Sequence, residues 1–173
     1  ANFSRETLRY LQGDARVLPL PDACVDAVVS FETIEHFDGQ EAFVSEVRRV
    51  LRPDGMFVVS TPDRDVYSAA HMAPNEYHVR ELSRSEFQRL LRSQFEFVTF
   101  MTQRPLIGSA LMPETPVAAS TQVFDRRGDT HFEACDTMPR APYIVAIASN
   151  RPIEPPPVSL FVERGDLDTD RLA

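Results

Sequence analysis

The chain has 173 residues, 43% of them hydrophobic, enough for one domain with its own core. Its 26 acidic residues outnumber 18 basic ones, all Arg, and the net charge is −8. With no basic cluster, this balance argues against general nucleic-acid binding, which draws most of its affinity from phosphate neutralisation. No apolar run approaches a membrane span and no signal peptide precedes the first expected strand, so a cytoplasmic location is expected. Cys24 and Cys135 have neither metal-ligand nor disulfide-scaffold spacing and read as reduced, structural thiols.

In chain order, Leu8 to Gln12 reads as a short strand that stops at Gly13-Asp14. Val25 to Phe31 (VDAVVSF) is a continuous apolar run, the pattern of a parallel strand covered on both faces. Asp38 with Glu41 gives a helix start, and Phe43, Val44, Val47, Val50 and Leu51 follow at helical spacing. Pro53-Asp54-Gly55 ends that helix and turns into a second buried strand, Met56 to Ser60. Ser83 and Glu86 form a capping box ahead of Phe87, Leu90 and Leu91. Phe95 to Met101 and Tyr143 to Ala148 read as strands. Between them, Arg104 to Pro142 is too long for a hairpin loop and is either a substrate-side insertion or a partly ordered excursion. After Asn150, RPIEPPPVSL should be extended, and an acidic, polar segment ends the chain. There are no internal repeats.

The groups able to do chemistry gather after the strands. Gly13-Asp14-Ala15 follows the first, and Phe31-Glu32-Thr33-Ile34-Glu35-His36 follows the second; ligands of open α/β sheets lie at such carboxyl ends. Taken alone, GDA is also an ordinary Asx turn, Ile34 and Phe37 read as core, and Glu32 as a solvated acid. His36 is equally able to bond backbone near a helix start. Two carboxylates and an imidazole within five positions are nevertheless more than a solvated face needs. His78, in HVRELSRSEF, precedes the capped helix. His71 and Tyr77 lie in the connection after STP, and His131 has no neighbouring constellation.

The succession GDA, LPLPD, VDAVVS, FETIEHF, helix, LRPDGMFVVSTP resembles the second half of the class I S-adenosylmethionine (SAM)-dependent methyltransferase fold, over about residues 8–150. The resemblance implies an α/β, partial Rossmann-like sheet, mostly parallel, closed by an antiparallel C-terminal pair. Residues 1–150 would be the methyltransferase-like domain and 151–173 a tail or linker. It implies SAM as cofactor, with Gly13, Asp14 and Ala15 at the adenine, and Phe31 and Glu32 beneath the methionine part. His36 and His78 become the catalytic residues on the acceptor side. The family's Gly-rich first loop and its ribose-binding acid lie upstream of GDA and are not in this sequence. The chain alone is therefore expected to bind SAM weakly and to leave the Val25–Phe31 strand with an open edge, favouring self-association or a larger parent polypeptide.

The spacing Glu32-x-x-Glu35-His36 with a later His78 also resembles the divalent-metal pattern of the small-RNA 2′-O-methyltransferases and of some quinone O-methyltransferases. Many methyltransferases carry EH and a later His without a metal, so no residue is assigned as a metal ligand and a divalent ion stands as the less favoured second cofactor. The expected acceptor is a small molecule or a sugar-containing intermediate. Loosely similar Pro-rich tails in bacterial surface-polysaccharide proteins point to polysaccharide biosynthesis. The alternative is a non-catalytic binding module that keeps a truncated methyltransferase fold. An NAD-dependent oxidoreductase shares the strand–helix alternation but leaves GDA, LPLPD and EH unexplained.

Overall fold

The computed structural model describes residues 8–70, 75–105, 122–127 and 130–160. Its strands are β1 (Val25–Ser30), β2 (Leu51–Pro62), β3 (Phe97–Gln103), β4 (Val123–Arg127), β5 (His131–Cys135) and β6 (Tyr143–Ser149). The helices are α1 (Gln40–Val50), α2 (Arg64–Ala70) and α3 (Arg84–Arg92), with a 3-10 turn at Ile34–His36. A four-stranded sheet runs in the order β1-β2-β6-β3, and β4 with β5 makes a separate antiparallel pair.

The β1–β2 pairing is parallel, as the methyltransferase resemblance requires, and β6 is antiparallel to both β2 and β3. The sheet is thus mixed, not mostly parallel. The reason is that β6 enters between β2 and β3, so two of the three ladders are antiparallel.

Four further expectations change. Residues 8–12 form no strand; Leu8, Tyr10 and Leu11 are exposed, with no ladder to pair them. β1 is an edge strand among the described residues, and Val29 is 61% exposed, so its apolar run is not covered on both faces. Helix α1 starts at Gly39, in the left-handed region at φ 83°, with no side-chain cap from Asp38. Gly is suited to that conformation because it has no Cβ. Pro53-Asp54-Gly55 does not separate helix from strand but lies within β2. Val25 pairs with Leu51 and Ala27 with Met56, so residues 52–55 bulge opposite Asp26. Part of the weakly patterned segment is the β4–β5 hairpin, while 106–121 lies outside the described residues.

The core is where the periodicity placed it. Phe43, Val44 and Val47 of α1 meet Phe57 and Val59 of β2, while Phe87, Leu90 and Leu91 of α3 join Phe95, Ile144, Ala146 and Ala148. Alternation along β6 follows from the pleat: Ile144, Ala146 and Ala148 share its buried face. Helix α3 begins with the expected capping box, since Ser83 Oγ accepts from Glu86 N–H and Glu86 accepts from Ser83 N–H. β6 ends at Ser149, and residues 151–160 carry neither helix nor strand.

Candidate active site

The parallel pair sets the site. β1 and β2 leave the sheet at the same edge, with Ser30 paired to Val59, so Phe31–His36 and Ser60–Pro62 emerge side by side. The exit from β1 is sharp: Glu32 sits at φ 46°, a region that costs a non-Gly residue roughly 1–3 kcal/mol and that surrounding structure must hold. Ser60 supplies that hold. Its hydroxyl accepts from Glu32 N–H at 3.1 Å and donates to Glu32 Oε1 at 2.6 Å.

The 3-10 turn then dips into the core. Ile34 and Glu35 are fully buried. The backbone carbonyl of Glu35 accepts from Val79 N–H at 2.8 Å and Arg80 N–H at 3.0 Å. Gln40, also fully buried, donates to the carbonyls of Ile34 and Arg80, both at 2.8 Å. These bonds strap residues 77–80 onto the turn, and they bring His78 to His36 across 42 positions of sequence. The two rings meet edge-on with centroids 5.0 Å apart.

Each imidazole is fixed through Nδ1. His36 Nδ1 lies 2.7 Å from the Tyr77 carbonyl, which can only accept, so Nδ1 carries the hydrogen and Nε2 is the basic atom of the neutral ring. His78 Nδ1 lies 2.6 Å from Glu81 Oε1, and both side chains are about nine-tenths buried. His78 Nε2 lies 3.0 Å from the Asn75 side-chain nitrogen, whose partner oxygen accepts from Tyr77 N–H. That order makes Nε2 of His78 an acceptor too. Tyr67 flanks His78 at 5.5 Å between ring centroids and Tyr143 flanks Tyr67 at 5.9 Å.

Glu35 points its carboxylate at this cluster. Its Oε1 is 3.7 Å from His36 Nε2 and has no hydrogen-bond partner, while Oε2 receives a long bond of 3.4 Å from Thr61 Oγ1. Burial pushes the Glu35 carboxyl pKa up and the nearby charge of Glu32 adds to that, while its own backbone N–H and the two imidazoles oppose it. The Tyr143 hydroxyl is raised as well, first by burial and then by Tyr67, Glu32 and Glu35, which places it within the field of the same acids.

The structure therefore gathers Glu32, Glu35, His36 and His78 at one end of the sheet. Sequence reasoning did not find Ser60, Tyr67, Asn75, Glu81 or Tyr143. Asn75 and Glu81 each stand three positions from His78, a spacing that could have marked them. His71 lies outside the described residues. Tyr77 contributes its carbonyl, and its ring is 71% exposed. Cys24 and Cys135 are unpaired thiols.

The GDA turn is built differently. Asp14 Oδ1 accepts from Arg16 N–H at 2.8 Å and Nε at 2.9 Å, and Oδ2 accepts from Nε at 3.2 Å and Nη2 at 2.7 Å. A carboxylate has about four lone-pair sites, and Arg16 takes them all. Those bonds hold the Asp14 carboxyl at about 2, below its ordinary 3.8. Gly13 is packed so that a Cβ would stand 2.7 Å from Pro19 Cδ, and Ala15 packs against the core. Toward SAM, Phe31, 56% exposed beside Glu32, fits a ligand at the exit of β1, whereas Asp14 fits one only with Arg16 turned away.

Residues 1–59 match the methyltransferase domain family of type 11. Over these residues the chain is similar to the class I SAM-dependent methyltransferases. A SAM-dependent methyltransferase of Mycolicibacterium smegmatis is 48% identical over 94 residues, 54% of this chain and 36% of the relative. A second, from Mycobacterium tuberculosis, is 48% identical over 85 residues, covering 49% of this chain and 31% of the relative. The chain thus spans about a third of the length of these curated relatives. Among solved structures, a SAM-dependent methyltransferase from Thermotoga maritima shares the fold at TM-score 0.54 and 22% identity, over 82% of this chain and 63% of that one. No described helix is long and apolar enough to cross a membrane.

Proposed function

We propose that the protein transfers a methyl group from SAM to a small-molecule or sugar-containing acceptor at the carboxyl end of β1 and β2. The observation that carries this reading is the convergence of Glu35, His36 and His78 beside the strand exits, in a chain whose N-terminal third matches a methyltransferase family. SAM supplies a methyl group on an already activated sulfonium. What remains for the protein is to align the acceptor, exclude water and receive a proton.

His36 and His78 suit the last task. Their Nδ1 atoms are anchored and their basic Nε2 atoms are defined by the bonding partners, so His36 can take the proton of an acceptor hydroxyl or amine, and His78 can do so once the Asn75 amide leaves its Nε2. His36 is the more accessible, with a side chain 40% exposed against 8% for His78. Glu81 fixes the His78 tautomer and balances the charge of the protonated ring. Phe31 and Glu32 border the cofactor, and Gly13, Asp14 and Ala15 form the adenine side once Arg16 is displaced. The second reading, a binding module without catalysis, draws on the occupied Asp14 carboxylate.

In this protein, His36→Ala should lower methyl-transfer turnover by roughly 10²–10⁴-fold with little change in SAM affinity. Unchanged turnover would overturn the role of His36. Absence of SAM binding by calorimetry in that protein would decide for the non-catalytic module.

A further inference from the structure

We infer that the methyl acceptor is a primary or secondary amine, received as its ammonium ion between Glu35 Oε1 and His36 Nε2. The inference rests on the methyl-transfer reading and narrows it, since a hydroxyl is then not the group methylated. The two atoms stand 3.7 Å apart, and both are acceptors. The Tyr77 carbonyl fixes the hydrogen of the neutral His36 ring on Nδ1, which leaves a lone pair on Nε2, and a carboxylate offers lone pairs alone.

The pair calls for a donor with two hydrogens and a positive charge. Glu35 is fully buried, yet its Oε1 has no hydrogen-bond partner among the described residues, and an unmatched buried carboxylate oxygen is costly. Protonation of Glu35 does not resolve this, because 3.7 Å is too long for a carboxyl-to-imidazole hydrogen bond. A hydroxyl carries one hydrogen and satisfies one of the two acceptors, whereas an ammonium group donates to both and balances the carboxylate. The charges nearby point the same way. Glu32 adds a second carboxylate, while the guanidinium groups of Arg80 and Arg64 pair with Glu41 and Glu86. Such a field attracts a cation and repels an anion. The His36 side chain, 40% exposed, opens the pair toward solvent. Tyr67 against His78, and Tyr143 against Tyr67, offer the carbon part of the amine an aromatic flank. In the step, the ammonium nitrogen gives one proton to His36 Nε2 and keeps another on Glu35 Oε1. Its freed electron pair takes the methyl carbon as the sulfur–carbon bond breaks and leaves its pair on sulfur, and the product departs as the methylated ammonium.

The test titrates benzylammonium into the 173-residue chain and follows the His36 ring protons by nuclear magnetic resonance, assigned by their loss in His36→Ala. Benzyl alcohol and N,N-dimethylbenzylammonium, which keeps the charge but has one N–H, serve as comparisons. Saturable binding of benzylammonium is expected, with both comparison compounds at least about tenfold weaker. Glu35→Gln should weaken benzylammonium to a similar degree, and circular dichroism of that variant separates loss of a contact from loss of fold. No saturable benzylammonium binding, equal binding of the alcohol, or undiminished binding by folded Glu35→Gln would overturn the amine site. The comparison among the three probes on the wild type needs no variant to fold. If mass spectrometry shows methyl transfer from SAM to hydroxyl acceptors and none to amines, the amine is refuted and the methyl-transfer reading stands. If benzylammonium binds as expected but calorimetry shows no SAM binding, the amine-binding site stands and methyl transfer is refuted.

Discussion

Asp14 and Arg16 show how one side chain can mask another. The residue type at Asp14 fits an adenine contact, but Arg16 occupies both of its oxygens. If Asp14 accepts from the adenine amine, Asp14→Ala should weaken SAM binding, because the amine loses its acceptor. Arg16→Ala should bind SAM at least as tightly as wild type, because it frees the carboxylate. Calorimetry on both variants checks this, and unchanged affinity in Asp14→Ala would remove Asp14 from the cofactor site. Glu32 makes a different point at the same scale. Its left-handed backbone is invisible in composition, since only the bond to Ser60, 28 positions away, shows why the strained turn persists.

Among the elements, α3 carries the clearest local signal and the clearest test. Ser83→Ala removes the capping-box hydroxyl from a buried position and should cost about 0.5–2 kcal/mol of stability, read by urea denaturation. Helix α1 has no such cap and depends on what it holds. Its Glu46 accepts from Leu18 N–H and from Arg49, which also donates to the carbonyls of Leu18 and Leu20, tying residues 18–22 to the helix. Arg49 and the Leu18 N–H hold the Glu46 carboxyl at about 2, below its ordinary 4.5. A folded-state value below the unfolded one stabilises the fold above the unfolded pKa, and the stabilisation is lost as pH falls toward the folded value. Stability should therefore decline between pH 4.5 and about 2, and Glu46→Gln should make that decline shallower. An unaltered pH profile in Glu46→Gln would show that this tie does not contribute.

For the molecule as a whole, the edge of the sheet matters most. β1 presents an unpaired edge among the described residues, with Val29 and the adjoining Phe31 61% and 56% exposed. An open, apolar strand edge invites pairing with another chain. The 173-residue chain should self-associate, and size-exclusion chromatography with light scattering would report species larger than 19.6 kDa. A monomer at all concentrations would show that this edge is adequately protected. The same edge explains why expected burial and observed burial differ along VDAVVS: an apolar run reports what a strand can tolerate on both faces, not what actually covers it.

The sequence by itself determined the helix faces, the capping box, the β1–β2 succession with the segments that follow each strand, and the candidate residues His36 and His78. Those signals are local: hydrophobic period, cap chemistry and turn residues act within a few positions of one another. Only the tertiary structure decided that β6 splits β2 from β3 and makes the sheet mixed, because strand order is set by long-range pairing that no local pattern encodes. It also decided that Glu81, Asn75 and the Tyr77 carbonyl orient the two imidazoles, and that Oε1 of Glu35 faces them without a donor while Thr61 bonds Oε2. Those relations depend on residues 77–80 folding back onto the turn at 34–36, a juxtaposition fixed by buried backbone bonds between segments far apart in the chain.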